Sequence, residues 1–325
     1  MKMKCPSLSM LSLSLCLGLA APAVAQQAEA TPEVPQAPAT PEAPPAPAPL
    51  APIPDLRLYL ASFSLLRQNP LGLESQLRLI LQKRMFDSES MLLRDTFVNG
   101  ALSLKANPAS FKVGPLVELQ PVAVFNVRAG YEYVRFLGSF GFLQSFPNSL
   151  ADHSDDTREL TKDTAYSTSG HHFLVEPTVQ ARVKQFVVRS RLVVDYWNMA
   201  LREGDRGTFY DPMMDTLVPG KGWVLSNDTD VLMRATPQLT VGARFSAVFP
   251  KYGDGDGDGT TVADNSHMRV GPMAAYAFNT DEGTMFNKPT LLVVAGWYLK
   301  HQSRQAARPY LLAGFGFTSD LMGGK

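Results

Sequence analysis

The segment HHFLVEPTVQARVKQFVVRSRLVVDYW, residues 171–197, alternates apolar and polar side chains through two halves separated by Lys184 and Gln185. In the first half His171, Phe173, Val175, Pro177, Val179, Ala181 and Val183 share one parity, opposed by His172, Leu174, Glu176, Thr178, Gln180 and Arg182. In the second half Phe186, Val188, Ser190, Leu192, Val194 and Tyr196 oppose Arg189, Arg191 and Asp195. Successive side chains of a strand point to opposite faces, so a period of two among β-branched residues specifies a hairpin with two unlike faces. A two-residue turn at 184–185 pairs residues whose numbers total 369, which sets His171 opposite Asn198.

The same alternation recurs from residue 55 onward. Leu73, Leu77, Leu79, Leu81 and Met85 oppose Glu74, Gln76, Arg78, Gln82 and Arg84. Segments 111–120, 123–135, 222–234 and 238–250 repeat the pattern, and 56–66, 91–105, 268–279, 289–302 and 308–319 follow it more loosely. About twelve strands are predicted. Tight turns are expected at Gln120-Pro121, Lys184-Gln185 and Ala235–Pro237, and long polar loops at 144–170, 200–221 and 251–267. Long loops at one end and tight turns at the other describe an up-and-down antiparallel sheet.

Alternation fits either a soluble exported β-sandwich or binding protein with its apolar row inside, or a membrane barrel with that row outside. Segments of 10–14 residues favour the barrel, because soluble strands average about five or six and a tilted span needs about 9–11. Tyr131, Tyr133, Tyr196, Trp197, Trp223 and Trp297 sit towards segment ends, where an interfacial girdle is expected. Residues 1–25 read as a signal peptide, with Lys2 and Lys4 before an apolar stretch and a small-residue cleavage site before Gln26. Both cysteines, Cys5 and Cys16, fall within it, so the exported chain is expected to carry no thiol. Residues 26–54 are rich in proline and alanine and read as an extended periplasmic tether. With the two lysines removed, 28 basic residues face 30 acidic ones, a balance that does not point to nucleic acid.

Strand length, dyad pattern, turn asymmetry and the aromatic final strand RPYLLAGFGFTSDL make residues 55–320 similar to bacterial outer-membrane β-barrel proteins, although the chain ends Leu321-Met322-Gly323-Gly324-Lys325. The resemblance implies an all-β transmembrane barrel over 55–325, set in outer-membrane lipid and handled by the insertion machinery. It also implies a structural envelope protein or a narrow passive pore for small solutes, and no enzyme.

The charged row is then the lumen row. Its expected members are Arg78, Arg84, Arg128, Glu132, Glu176, Arg182, Arg189, Arg191, Asp195, Asp228, Asp230, Arg234 and Arg244, with Glu74, Lys112, Glu118 and Arg269. They form either a salt-bridge network that fills the barrel or the wall of a pore attracting anions. Asp254, Asp256 and Asp258 in GDGDGDG resemble the first half of a calcium loop, but Asn265 stands where a bidentate glutamate belongs, so a solvated loop tip competes with a calcium site. Ser169, His171 and Asn198 lie on one face at a strand end and invite comparison with outer-membrane phospholipases, which need a serine, a histidine base and an orienting group. No other cofactor is implied.

Overall fold

A computed structural model describes residues 55–205, 207–253, 256, 261–278 and 286–322. The expected signal peptide and tether, at 1–54, lie outside these residues.

The strands in chain order are β1 (Leu56–Gln68), β2 (Gly72–Arg84), β3 (Phe97–Asn107), β4 (Ser110–Val122), β5 (Phe125–Leu137), the short β6 (Ser145–Phe146), β7 (Ser167–Val183) and β8 (Phe186–Met199). They continue with the short β9 (Thr208–Asp211) and β10 (Thr216–Pro219), then β11 (Lys221–Arg234), β12 (Leu239–Lys251), β13 (His267–Ala277), β14 (Asn287–Lys300) and β15 (Tyr310–Asp320). Twelve of them, each of 11 residues or more, pair antiparallel with their neighbours, and β1 pairs with β15 to close a barrel. Closure satisfies the edge donors and acceptors that an open sheet would leave bare.

The register matches the expected hairpin. Val183 faces Phe186, Thr178 faces Arg191 and His171 faces Asn198. Phe173, Val175 and Val179 are exposed on the outer wall, while Leu174 and Glu176 of the opposite row are buried inside. The outer wall is therefore greasy and the interior charged, the inverse of a soluble protein.

Aromatic rings gird both ends of the outer wall. Near the long-loop end, Phe111, Tyr133, His171, Tyr131, Phe173, Tyr196 and Trp223 form an unbroken series of ring contacts across five strands. Near the other end Tyr276, Phe278, Phe315, Phe317 and Phe286 form a shorter series over β13, β15 and the residues flanking β13 and β14. Trp197 does not belong to either girdle, contrary to expectation. Its odd parity on β8 turns it inward, where it is fully buried and stacked on His172 at 4.1 Å between centroids.

Three further expectations are corrected. The β4–β5 turn is Ala123-Val124, because Gln120 and Pro121 remain in β4. The connection at 85–96 is not a strand start; it tucks under the barrel, with Ala123 donating to the Leu92 carbonyl and Gln120 to the Asp95 carbonyl. The stretch 200–221 is a solvated loop only in its first part, since residues 208–220 are all buried except Pro212, which is half-buried.

The inverted faces yield a direct test. Val175 lies midway along β7 and is 46% exposed. Val175→Arg should cost about 2–4 kcal/mol when folding into lipid vesicles is followed by urea titration. A change within about 0.5 kcal/mol would place this wall in water.

Candidate functional site: the lumen and its plug

Six neighbouring strands carry a line of alternating charges around the lumen wall. Glu118 on β4 lies opposite Arg128 on β5, and Arg128 lies opposite Glu176 on β7. The guanidinium reaches both carboxylates, at 3.1 Å and 2.8 Å. Arg191 on β8 continues the line, 3.5 Å from Glu176 and 2.7 Å from its cross-strand partner Asp228 on β11. Asp230 lies opposite both Arg189 and Arg244, and it takes hydrogen bonds from each at 2.6 Å. Opposite charges facing one another across antiparallel strands are the favourable pairing, and burial keeps water from screening them.

A second tier lies nearer the long-loop end. Lys105 pairs with Glu132, and His172 sits between Glu132 at 3.0 Å and Asp195 at 2.8 Å. Lys105 was not among the residues singled out from sequence, because the alternation of its strand is weakened by Gly100 and Ala101.

Arg78, Arg128, Glu132, Glu176, Arg191, Asp195, Asp228, Asp230 and Arg244 are thus brought into the barrel interior, with Arg189 partly buried beside them. Arg84, Arg182 and Arg234 instead occupy the short-turn rim. Arg84 pairs with Asp55 and Asp87, while Arg182 and Arg234 donate to the carbonyls of Lys184 and Pro237. The remaining wall of the lumen is mostly apolar, although Arg67 on β1, Glu74 and Arg78 on β2 and Arg269 on β13 are buried in it. Phe63, Leu65, Met273, Leu292, Val294, Tyr298, Tyr310 and Leu312 pack there, on strands whose two faces are both largely hydrophobic in sequence.

The β9–β10 hairpin inserts between these two walls. Asp211 Oδ1 accepts from the backbone of Met213 and Met214, so YDPMMD folds its own turn. Met213 joins the apolar cluster, Arg67 donates to the Pro212 carbonyl at 2.7 Å, and His267 bonds the Met214 carbonyl at 2.7 Å. Lys112 approaches Asp211 at 4.0 Å. The firmest attachment is Asp215, whose carboxylate contacts His301 at 2.6 Å, accepts from Arg304 at 2.5 and 3.0 Å, and accepts from Tyr210 at 2.9 Å. Burial pushes its pKa up, but Arg304 and His301 outweigh this and hold it well below the ordinary 3.8. Nothing in the alternation pattern signals this plug; the turn-forming Asp-Pro pair is its visible trace.

Ser169, His171 and Asn198 do share the outer wall, and His171 lies opposite Asn198. His171 Nδ1 is 2.8 Å from the Tyr131 hydroxyl, and among the described residues no hydrogen bond joins His171 to Ser169 or Asn198. Asp254 and Asp258 lie outside the described residues. Asp256 Oδ2 accepts from the backbone of Gly253, and its carbonyl accepts from Ser149.

A closed antiparallel barrel with a lipid-compatible exterior, aromatic girdles and ionic interior is a transmembrane barrel of the outer-membrane kind. No protein-family model and no curated protein matches the sequence. Among solved structures, the KdgM porin in complex with disordered oligogalacturonate is 8% identical, with TM-score 0.36 over 80% of this chain and 98% of that one. The β domain of the Bordetella autotransporter BrkA is 12% identical, with TM-score 0.42 over 81% and 99%. OmpT, an outer-membrane protein of Vibrio cholerae, is 10% identical, with TM-score 0.33 over 82% and 96%. The class of this protein follows from its own strand pairing and inverted faces.

The central position of Arg128 leads to a stability prediction. Arg128→Ala leaves Glu118 and Glu176 short of their shared cation in a desolvated site and should cost about 3–5 kcal/mol in urea unfolding. A loss below about 1 kcal/mol would show the lumen to be wet enough to screen them.

Proposed function

We propose that the chain is a bacterial outer-membrane barrel with a lumen closed at rest, serving as a structural envelope protein. The observation carrying this reading is the plug: the β9–β10 hairpin joins the ionic wall to the apolar wall and is held by Asp215. In this orientation the long loops face outward and both ends of the chain lie on the periplasmic side, with residues 1–25 removed on export and 26–54 as the tether. The insertion machinery and outer-membrane lipid are the partners this reading entails, and small solutes belong to the passive-pore alternative.

The test is conductance in planar bilayers. The wild-type protein should give no steps, or small ones. Asp215→Asn removes the charge that Arg304 and His301 grip and should give frequent larger openings. Large constant steps from the wild type would overturn the closed reading in favour of a passive pore.

The same carboxylate predicts a pH dependence. A depressed pKa contributes stability above the unfolded value near 3.8 and loses it as pH falls through the lower folded value. The plug should therefore stay shut from neutrality to about pH 4 and loosen in stronger acid. Openings that begin near pH 6 would assign the latch to another group.

An outward hydrolase site at Ser169 is the second-class reading. It is favoured by the shared face of Ser169, His171 and Asn198 and opposed by the Tyr131 contact. Phospholipid hydrolysis lost in Ser169→Ala would support it.

A further inference from the structure

The short-turn end of the lumen holds a recess between β1, β2, β14 and β15. Counted with its mouth, which opens to solvent, it holds about 670 Å³ of empty space.

 A separate, smaller space of about 340 Å³ lies beside Arg244 and Arg269. Tyr59, Ala61, Phe63, Arg78, Ile80 and Thr318 are among the walls of the recess. Gly316 keeps it clear, since a Cβ there would come within 2.9 Å of the Phe63 ring.

Arg78 is the chemically distinctive wall residue. It is 5% exposed, and among the described residues it makes no hydrogen bond and has no carboxylate within ion-pair distance. Glu118, on the strand beyond β3, is already taken by Asn99, Asn126 and Arg128. A guanidinium carries five donors in a planar fork that matches a carboxylate, and that of Arg78 faces the recess without a partner among the described residues. Phe63 and Ile80 beside it offer a hydrocarbon surface.

We propose that this recess binds a small organic monocarboxylate, with its carboxylate on Arg78 and its apolar body against Phe63 and Ile80. Binding here goes beyond the envelope role and does not require a conducting lumen, so the two fail separately.

The test uses the full chain folded in detergent micelles and calorimetric titration with benzoate, benzyl alcohol and inorganic phosphate. Benzoate should bind, with benzyl alcohol and phosphate each about tenfold weaker or more. Arg78→Gln should weaken benzoate by a similar factor, and Ala61→Phe should abolish binding by filling the recess while Arg78 stays in place. Arg84→Gln, on the rim, should leave affinity unchanged. Heat-modifiable gel mobility establishes that each variant is folded, and Ala61→Phe tests the site if Arg78→Gln does not fold. Absence of benzoate binding to the folded wild type, or undiminished binding in Arg78→Gln or Ala61→Phe, overturns the proposal. Equal affinity for benzyl alcohol or for phosphate also overturns it, by removing the need for one of the two halves of the ligand.

Discussion

Hydrocarbon gives a peptide group no hydrogen-bond partner, so a sheet that crosses it must close on itself. Here closure falls on β1 and β15, paired from Tyr59–Asp320 to Gln68–Leu311. Once the ring is closed, every strand has one row of side chains in lipid and one row inside, and the two rows cannot be exchanged without losing both environments. The aliphatic outer wall, the two aromatic girdles and the enclosed charges are consequences of that geometry.

Enclosing so many charges is costly unless each is answered. The barrel answers them through register, since pairing Glu118 with Arg128 and Arg128 with Glu176 is a matter of which residues lie opposite one another. A slip of one residue would send the charged row into lipid, and a slip of two would set the pairs out of step. The ionic wall thus contributes to specifying one arrangement of β4, β5, β7, β8, β11 and β12. The apolar wall on β13, β14, β15 and β1 has no such device. It gains its order from packing around Phe63 and against Met213 of the plug.

Much of the ring was legible beforehand because a period of two is a local property. The turn at Lys184-Gln185 and the pairing of His171 with Asn198 could be read directly. Where the local signal weakened, so did the reading. Gln120-Pro121 suggested a turn three residues too early, because proline is tolerated at a strand position whose ladder bond can be forgone. Trp197 suggested a girdle by its type, whereas its parity had already placed it inside. The candidate site was legible only in part: the charged row could be named, but the rim positions of Arg84, Arg182 and Arg234 depend on where each strand ends.

By itself the sequence determined the number of strands in the barrel wall, their faces and the end at which the long loops gather, because these depend on neighbours one or two residues apart. Only the tertiary structure decided what fills the lumen. Asp215 meets His301 and Arg304 across gaps of 86 and 89 residues, and Arg78 is left without a carboxylate because of where other strands place theirs. Such partnerships arise from closure of the ring, which brings distant strands and the inserted hairpin together, and no local period records them.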